Sequence, residues 1–417
     1  MMAKKKRMVP EIRFRGFAEE WADSNVSDFV ATLDAGVSVN SKDRPANNSE
    51  FGVLKTSAVT NGVFEPDENK VVLAENEQLR LKEHVSSDTI IISRMNTPAL
   101  VGANAYIESS HDNLFLPDRL WAAKPRGSAS MRFLAIILGS QKGRAALSSM
   151  AKGTSGSMKN ITKLQILALP IRSPSPTEQT KIGRYFKELD GLIGLHQRKH
   201  DKLVTLKQAM LQKMFPQDGA TTPEIRFQGF EEDWEEKEIN ELGQTLTGST
   251  PSTQNKRYYS ENGIPWVTPT DIKKNVTFKT SSHLSDEGKK VARVAPKNTI
   301  LVTCIASIGK NTLLGTQGSF NQQINGLVPD EYNYDPYFLY SLSSLWSREM
   351  KRSAASGTMQ IVNKTEFSSI RTQTPALPEQ QKIGTYFRKL DTLISQHATQ
   401  LTKLKQIKSA CLEKMFV

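Results

Sequence analysis

The chain is expected to be an α+β protein: two pseudo-symmetric mixed α/β domains separated by two long helices that form an antiparallel coiled coil. Three observations predict this. The sequence contains an internal repeat, each copy ends in a stretch with the three-and-four apolar spacing of a helical seam, and β-branched runs precede those stretches. At 417 residues the chain also exceeds what one hydrophobic core fills, so two or more domains are expected.

The repeat is explicit. Pro10–Trp21 reads PEIRFRGFAEEW and Pro223–Trp234 reads PEIRFQGFEEDW, an offset of 213. Glu178–Asp190 (EQTKIGRYFKELD) returns as Glu379–Asp391 (EQQKIGTYFRKLD) at an offset of 201. Ser155–Lys163 and Ser356–Lys364 share that offset, as do the Lys-Met-Phe tripeptides at 213–215 and 414–416. Two copies follow, about 10–216 and 223–417, the second shorter by 12 in its middle. Their ends match while the middles, about 30–150 and 245–350, agree only in outline. Divergent middles on a common framework suit paired recognition modules. Duplication and drift is the other reading, although drift alone does not spare the ends.

Within each middle, Asp88–Ser93 and Asn298–Thr303 read as buried strands, and Ser130–Ala151 and Asp335–Ala354 as helices without internal proline. The stretch PQDGATTP at 216–223 is the expected joint. In the second copy the seam steps by four and three from Ile383 through Phe387, Leu390, Ile394, Leu401 and Leu404 to Cys411 and Met415. The first copy repeats it from Ile182 through Phe186, Leu189, Ile193, Leu203 and Met210 to Met214. His196, His200 and Lys207 in one copy, and His397 and Lys408 in the other, occupy seam positions. His196 and His397 are read as polar residues that set register, with pH sensing or metal binding as the other reading, and Leu206 and Ile407 are expected to supply apolar contact beside the lysines. A helix of about 34 residues at roughly 1.5 Å each gives a rod of about 50 Å. That exceeds one turn of duplex DNA, roughly 34–36 Å, and predicts two half-sites with a fixed gap.

The formal charge is +12, from 55 Lys+Arg against 43 Asp+Glu, which favours a polyanionic partner. Divided at 216, the copies carry +9 and +3. Between Asp118 and Glu178 no acidic residue interrupts Arg119, Lys124, Arg126, Arg132, Lys142, Arg144, Lys152, Lys159, Lys163 and Arg172. This tract contains a Gly/Ser loop with Thr154, Ser155 and Ser157, and its counterpart carries Ser356 and Thr358. Such loops offer N–H groups and hydroxyls to phosphates. Base reading needs polar forks, for which Arg94, Asn96, Asn321, Gln322 and Gln323 are candidates. Lys55, Thr56, Ser57, Thr268, Thr270 and Asp271 follow expected strands, and Thr303 and Lys310 complete the candidate DNA-binding set.

Signatures of catalysis fail one by one. Pro66–Lys70 holds adjacent carboxylates rather than carboxylates on separate strands, and Gly309-Lys310-Asn311-Thr312 lacks the first glycine of a phosphate loop and the hydroxyl directly after its lysine. There is no Gly-x-Gly-x-x-Gly and no Asn/Asp-Pro-Pro-aromatic tetrapeptide. Cys304 and Cys411 match no disulfide or zinc spacing, no apolar run nears the roughly 18 residues of a membrane span, and the basic start lacks the apolar segment of a secretory signal. A non-catalytic cytoplasmic protein is expected.

The doubled PEIRFxGF…W, SG[ST]M and P…EQ.KI segments, the helices behind them and the KMF endings resemble the specificity subunit of type I restriction–modification systems over essentially the whole chain. The resemblance implies target-recognition domains at about 1–176 and 216–377, and coiled-coil helices at about 177–215 and 378–417. It implies double-stranded DNA as the ligand, two adenine-N6 methyltransferase subunits docked on the repeated framework, and restriction/translocase subunits beside them. S-adenosylmethionine, ATP and Mg²⁺ then belong to the partners, and this chain carries no cofactor, metal or catalytic residue. The loop Lys152–Ser157 is longer and more basic than its counterpart, so equal roles for the two loops are not implied. A structural adaptor whose coiled coil links protein partners is the alternative from a different class.

Overall fold

The computed structural model describes residues 9–417 apart from 61, 156–157, 218–219 and 356–360, with the backbone alone for 154–155 and 353–355. Two compact units emerge: Met1–Gly194 with Thr402–Val417, and Leu195–Leu401.

The first unit is built on the antiparallel four-stranded sheet Val30–Ala35, Leu120–Pro125, Thr89–Ser93, Asn104–Ile107. Thr89–Ser93 is buried at all five positions, which is why its centre, Ile90-Ile91-Ile92, is apolar without alternation. A second four-stranded sheet, ordered Asn69–Val71, Gly52–Leu54, His111–Phe115, His84–Val85, contains one parallel pair, Gly52–Leu54 with His111–Phe115. The second unit follows the same plan. Its five-stranded sheet is ordered Gly243–Thr247, Ile324–Pro329, Ile300–Thr303, Asn311–Leu314, Val276–Thr277. Its four-stranded sheet pairs Tyr259–Val267 in parallel with Gly318–Phe320. Asp88 and Asn298, each leading into a central strand, have φ of 53° and 68°, a left-handed turn that short polar side chains tolerate.

One expected helix is two. Ser130–Ala151 divides into Met131–Gly139 and Gln141–Met150, because Ser140 leaves the helix (φ −65°, ψ 161°) and its hydroxyl accepts from the Gly143 N–H at 3.1 Å. A Cβ on Gly143 would lie 2.1 Å from the Ile137 carbonyl oxygen, so the tight re-entry requires glycine. The counterpart, Pro336–Ala355, is continuous.

The repeated letters have a structural meaning. Arg13 of the first PEIRF grips Glu178 through two hydrogen bonds of 2.7 Å, and Arg226 of the second grips Glu379 through two of 2.8 Å. Both carboxylates are 1% exposed, so each is a desolvated bidentate pair. The following glutamines serve backbone. Gln179 donates to the Pro174 carbonyl at 2.9 Å and Gln380 to that of Pro375 at 2.8 Å. Gly16 and Gly229 turn the PEIRFxGF segments at φ 95° and 93°. The KMF endings are plugs. Phe215 packs at 6.0, 5.7 and 5.8 Å from the rings of Trp234, Phe338 and Phe387. In the first unit Phe416 sits 5.9, 6.0 and 6.0 Å from Trp21, Phe133 and Phe186.

The long helices are Pro176–Lys213 and Leu377–Lys414. Inside the first unit their segments run antiparallel, with Tyr185 Oη 3.6 Å from Cys411 Sγ and Asp190 bound to Lys408 at 2.6 Å. Inside the second unit His196 meets His397 and Lys207 meets Asp391, again antiparallel. Every expected seam position is buried or half-buried. Leu206 and Ile407 do not fill the seam beside the lysines: they are 40% and 37% exposed. Lys207 instead reaches Asp391 at 2.6 Å and Lys408 reaches Asp190, so ion pairs replace the expected apolar contact. No described helix is long and apolar enough to cross a membrane.

Candidate nucleic-acid interface

In the first unit the backbone gathers residues that lie far apart in sequence. The hairpin Lys152–Ser155/Met158–Asn160 pairs with Met95–Asn96, placing Lys159 opposite Asn96. The Ile161 N–H donates to the Arg94 carbonyl, and the Arg94 N–H to the Arg119 carbonyl, both at 3.0 Å. Arg94, Asn96, Arg119, Lys152 and Lys159 therefore share one small sheet and its margin. Within it the two polar forks are held locally. Arg94 Nε donates to the Asp118 carbonyl at 2.6 Å with its guanidinium over the Trp121 ring, and Asn96, 9% exposed, is fixed by Ser93 and the Thr97 N–H. Arg119 and Lys152 are exposed. Lys55, Thr56 and Ser57 are not part of this small sheet but follow Gly52–Leu54, where Ser57 donates to Glu68 at 2.5 Å and Lys55 sits 3.9 Å from Asp43 and Glu68. Of the candidate loop residues, Thr154 and Ser155 are described by backbone alone, and Ser157, Ser356 and Thr358 lie outside the described residues.

The acid-free tract is not acid-free in space. Lys124 meets Asp34 at 3.1 Å and Glu83 at 3.0 Å, Arg132 meets Glu108, and Arg172 meets Asp23 at 3.4 Å. Burial pushes Lys124 down, but Glu83 and Asp34 outweigh it and leave it above its ordinary value. Arg126 caps the Ser27 carbonyl and Arg144 that of Ala99, and burial lowers the Arg144 guanidinium from its ordinary value. Arg119, Lys142, Lys152, Lys159 and Lys163 remain without an ion pair within 4 Å among the described residues. Half of these ten cations brace the fold, and the other half make no such pair among the described residues.

In the second unit Thr303 is fully buried. Its hydroxyl donates to the Ser307 carbonyl at 2.5 Å and accepts from the Lys310 N–H at 2.9 Å, so it shapes the turn that presents exposed Lys310. Asn321, 8% exposed, and Gln323 bond each other, while Gln322 is exposed and accepts from Thr250. Thr268, Thr270 and Asp271 form a loop brace: Thr268 donates to Asp271 at 2.6 Å and Ser281 to its other oxygen at 2.9 Å. Burial pushes the Asp271 carboxyl up, but bonds from Thr268 and Ser281 outweigh it and hold it below its ordinary value. A cavity of 990 Å³ in this unit, lined among others by Trp346, Met350, Arg371 and Gln373, involves none of these candidates.

Comparison with known proteins decides the family. The profile described as "Type I restriction modification DNA specificity domain" matches residues 18–205 and 231–406. The chain belongs to this family. Among curated relatives, it is similar to the specificity subunit of the type I restriction enzyme MjaIX of Methanocaldococcus jannaschii, 28% identical over 197 residues, covering 44% of each chain. It is 31% identical over 148 residues to the HindI specificity subunit of Haemophilus influenzae, covering 34% of this chain and 32% of that one. Those matches span less than half of each relative. A longer match, 20% identical over 406 residues, joins it to the putative MjaX specificity subunit of Methanocaldococcus jannaschii, covering 94% and 91%. The fold is that of the crystal structure of a type I restriction–modification S subunit from M. genitalium, with TM-score 0.69, 15% identity and coverage of 98% and 99%.

The second specificity domain carries a basic group outside the candidate set. Lys273, Lys274 and Lys279 are exposed, and Phe278 beside them is 62% exposed. Val276–Thr277 pairs in parallel with Asn311–Leu314, and Thr312 donates to the Lys274 carbonyl at 3.0 Å. The lysines at 273 and 274 therefore run alongside the turn that presents Lys310. The signal was a second, shorter acid-free stretch, 272–285, which the longer tract in the first copy overshadows.

Proposed function

We propose that this chain is the DNA-reading subunit of a type I restriction–modification complex. Each specificity domain reads one half of a bipartite site, and the helix pair sets the gap between the halves. The observation that carries the reading is the doubled specificity domain: one chain presents two related surfaces, and divergent middles give two different half-sites. Phosphate contacts come from Arg119, Lys152 and Lys159 in one domain and from Lys273, Lys274 and Lys310 in the other. Methyltransferase subunits dock twice on the repeated framework, restriction subunits join them, and S-adenosylmethionine, ATP and Mg²⁺ act on those partners. This chain supplies recognition without chemistry, in the cytoplasm.

Methylome sequencing of cells carrying the gene tests the reading. Methyladenine is expected in a split motif with a constant spacer, and exchanging residues 30–150 should change one half of it only. A contiguous motif, or methylation independent of this gene, would reject the proposal. DNA binding indifferent to sequence would favour the structural adaptor.

The lysine group makes a separate prediction. Replacing Lys273, Lys274 and Lys310 together by alanine should flatten the plot of log affinity against log salt by about 2–3, at roughly 0.9 for each phosphate no longer neutralised. Sequence preference should be retained. An unchanged slope would remove these lysines from the interface.

A further inference from the structure

Where the helices run antiparallel in the second unit, His196 and His397 face each other with their Nδ1 atoms 2.8 Å apart and ring centroids 5.0 Å apart. One ring donates N–H to the lone pair of the other. Both rings are half-buried and accessible from solvent. They stand at the 201-residue offset, so the repeat has placed one imidazole on each helix at the same level.

A third imidazole lies one helical turn from His196. His200 has its Nδ1 3.0 Å from Asp201 Oδ1, and Gln197 holds both oxygens of that carboxylate at 3.0 and 3.1 Å. A carboxylate on one ring nitrogen fixes the proton there and leaves the Nε2 lone pair free, the support commonly found behind a metal-ligating histidine. Setting register needs only the facing pair. The second imidazole four residues on, with a carboxylate behind it, adds nothing to that task.

We propose that His196 and His397, with His200 as third ligand, bind a divalent transition-metal ion and thereby clamp the two helices in register. Neutral imidazoles select Zn²⁺, Ni²⁺ or Cu²⁺ over the hard cations that prefer carboxylates. Two Zn–N bonds of about 2.0–2.1 Å at a tetrahedral angle separate the nitrogens by roughly 3.3 Å. The His196–His397 pair reaches that spacing by opening about half an ångström, with the ion taking the place of the shared proton, which transfers through solvent to Nε2 of the donor ring so that both imidazoles ligate through Nδ1 as neutral rings. Among the described residues no three His, Cys, Asp or Glu side chains yet surround one point, so ligation by His200 requires its ring to rotate toward the pair.

The test is titration of the full, untagged chain with Co²⁺, followed by visible absorption, with Zn²⁺ as competitor. Saturation near one equivalent is expected, and Zn²⁺ should raise the melting temperature. His397→Asn keeps a hydrogen-bonding group opposite His196 and should preserve helix content, yet lose about tenfold or more in affinity. Asp201→Asn, which weakens the support behind His200, should also lose about tenfold. His111→Asn, remote from the helices, should bind as the unaltered chain does. No saturable Co²⁺ uptake, or equal affinity in the unaltered chain and His397→Asn, would overturn the proposal. DNA is absent from the experiment, so its outcome is independent of the recognition reading.

Discussion

Phe215→Ala is expected to lower the melting temperature of the second unit by roughly 10 °C, measured by calorimetry on the full chain. The ring is fully buried among Trp234, Phe338 and Phe387. Truncating a buried phenylalanine costs about 3–5 kcal/mol, from lost transfer energy and from the cavity left behind. A unit of this size shifts by about 2–4 °C per kcal/mol. The effect should be local, with the first unit melting as before, because its own plug is Phe416. Leu206→Ala is the matching control. Its side chain is 40% exposed, and it should change stability by no more than about 0.5 kcal/mol. A large effect of Leu206→Ala would mean that this leucine does fill the seam, as its neighbourhood in sequence suggests.

Much of the architecture was legible because it rests on periodicity. Ile182, Phe186, Leu189 and their counterparts repeat at helical spacing, and all are buried. The run Ile90-Ile91-Ile92 is β-branched and is a buried central strand. Features that depend on which distant segment arrives opposite were not legible. Lys207 and Lys408 look like flaws in an apolar seam until Asp391 and Asp190 are seen across it. The ten cations after Asp118 look uniform, yet Asp34, Glu83, Glu108 and Asp23 fold back onto part of them. Ser140 interrupts a helix without disturbing its apolar spacing, since capping depends on one hydroxyl and one glycine. For the candidate interface, residue type marked Asn96 and Asn321 as polar forks and Thr303 as a further candidate; burial, which residue type does not reveal, separates these three from their more exposed neighbours Lys159, Gln322 and Lys310.

The clamp Arg226–Glu379 separates two explanations of the repeated framework. If the letters recur because a partner reads them, Arg226→Met should leave the chain as stable as before and abolish recruitment of the partner at that copy. If they recur because they hold the unit together, the same substitution should destabilise the second unit by about 3–5 kcal/mol, because it strands a carboxylate that is 1% exposed. The structure favours the second outcome, for the guanidinium is 15% exposed and both of its bonds run to Glu379 at 2.8 Å. Removing both charges, as Arg226→Met with Glu379→Met, should recover most of the loss, since a well-packed apolar pair of similar volume avoids the desolvation that the ions require. Denaturant melts of the four chains give the coupling energy directly. Coupling near zero would mean that the pair is ornamental to folding and that the framework repeats for docking alone. Strong coupling with recruitment intact in the double variant would assign the letters to folding, and leave the docking surface to exposed residues of the same segments.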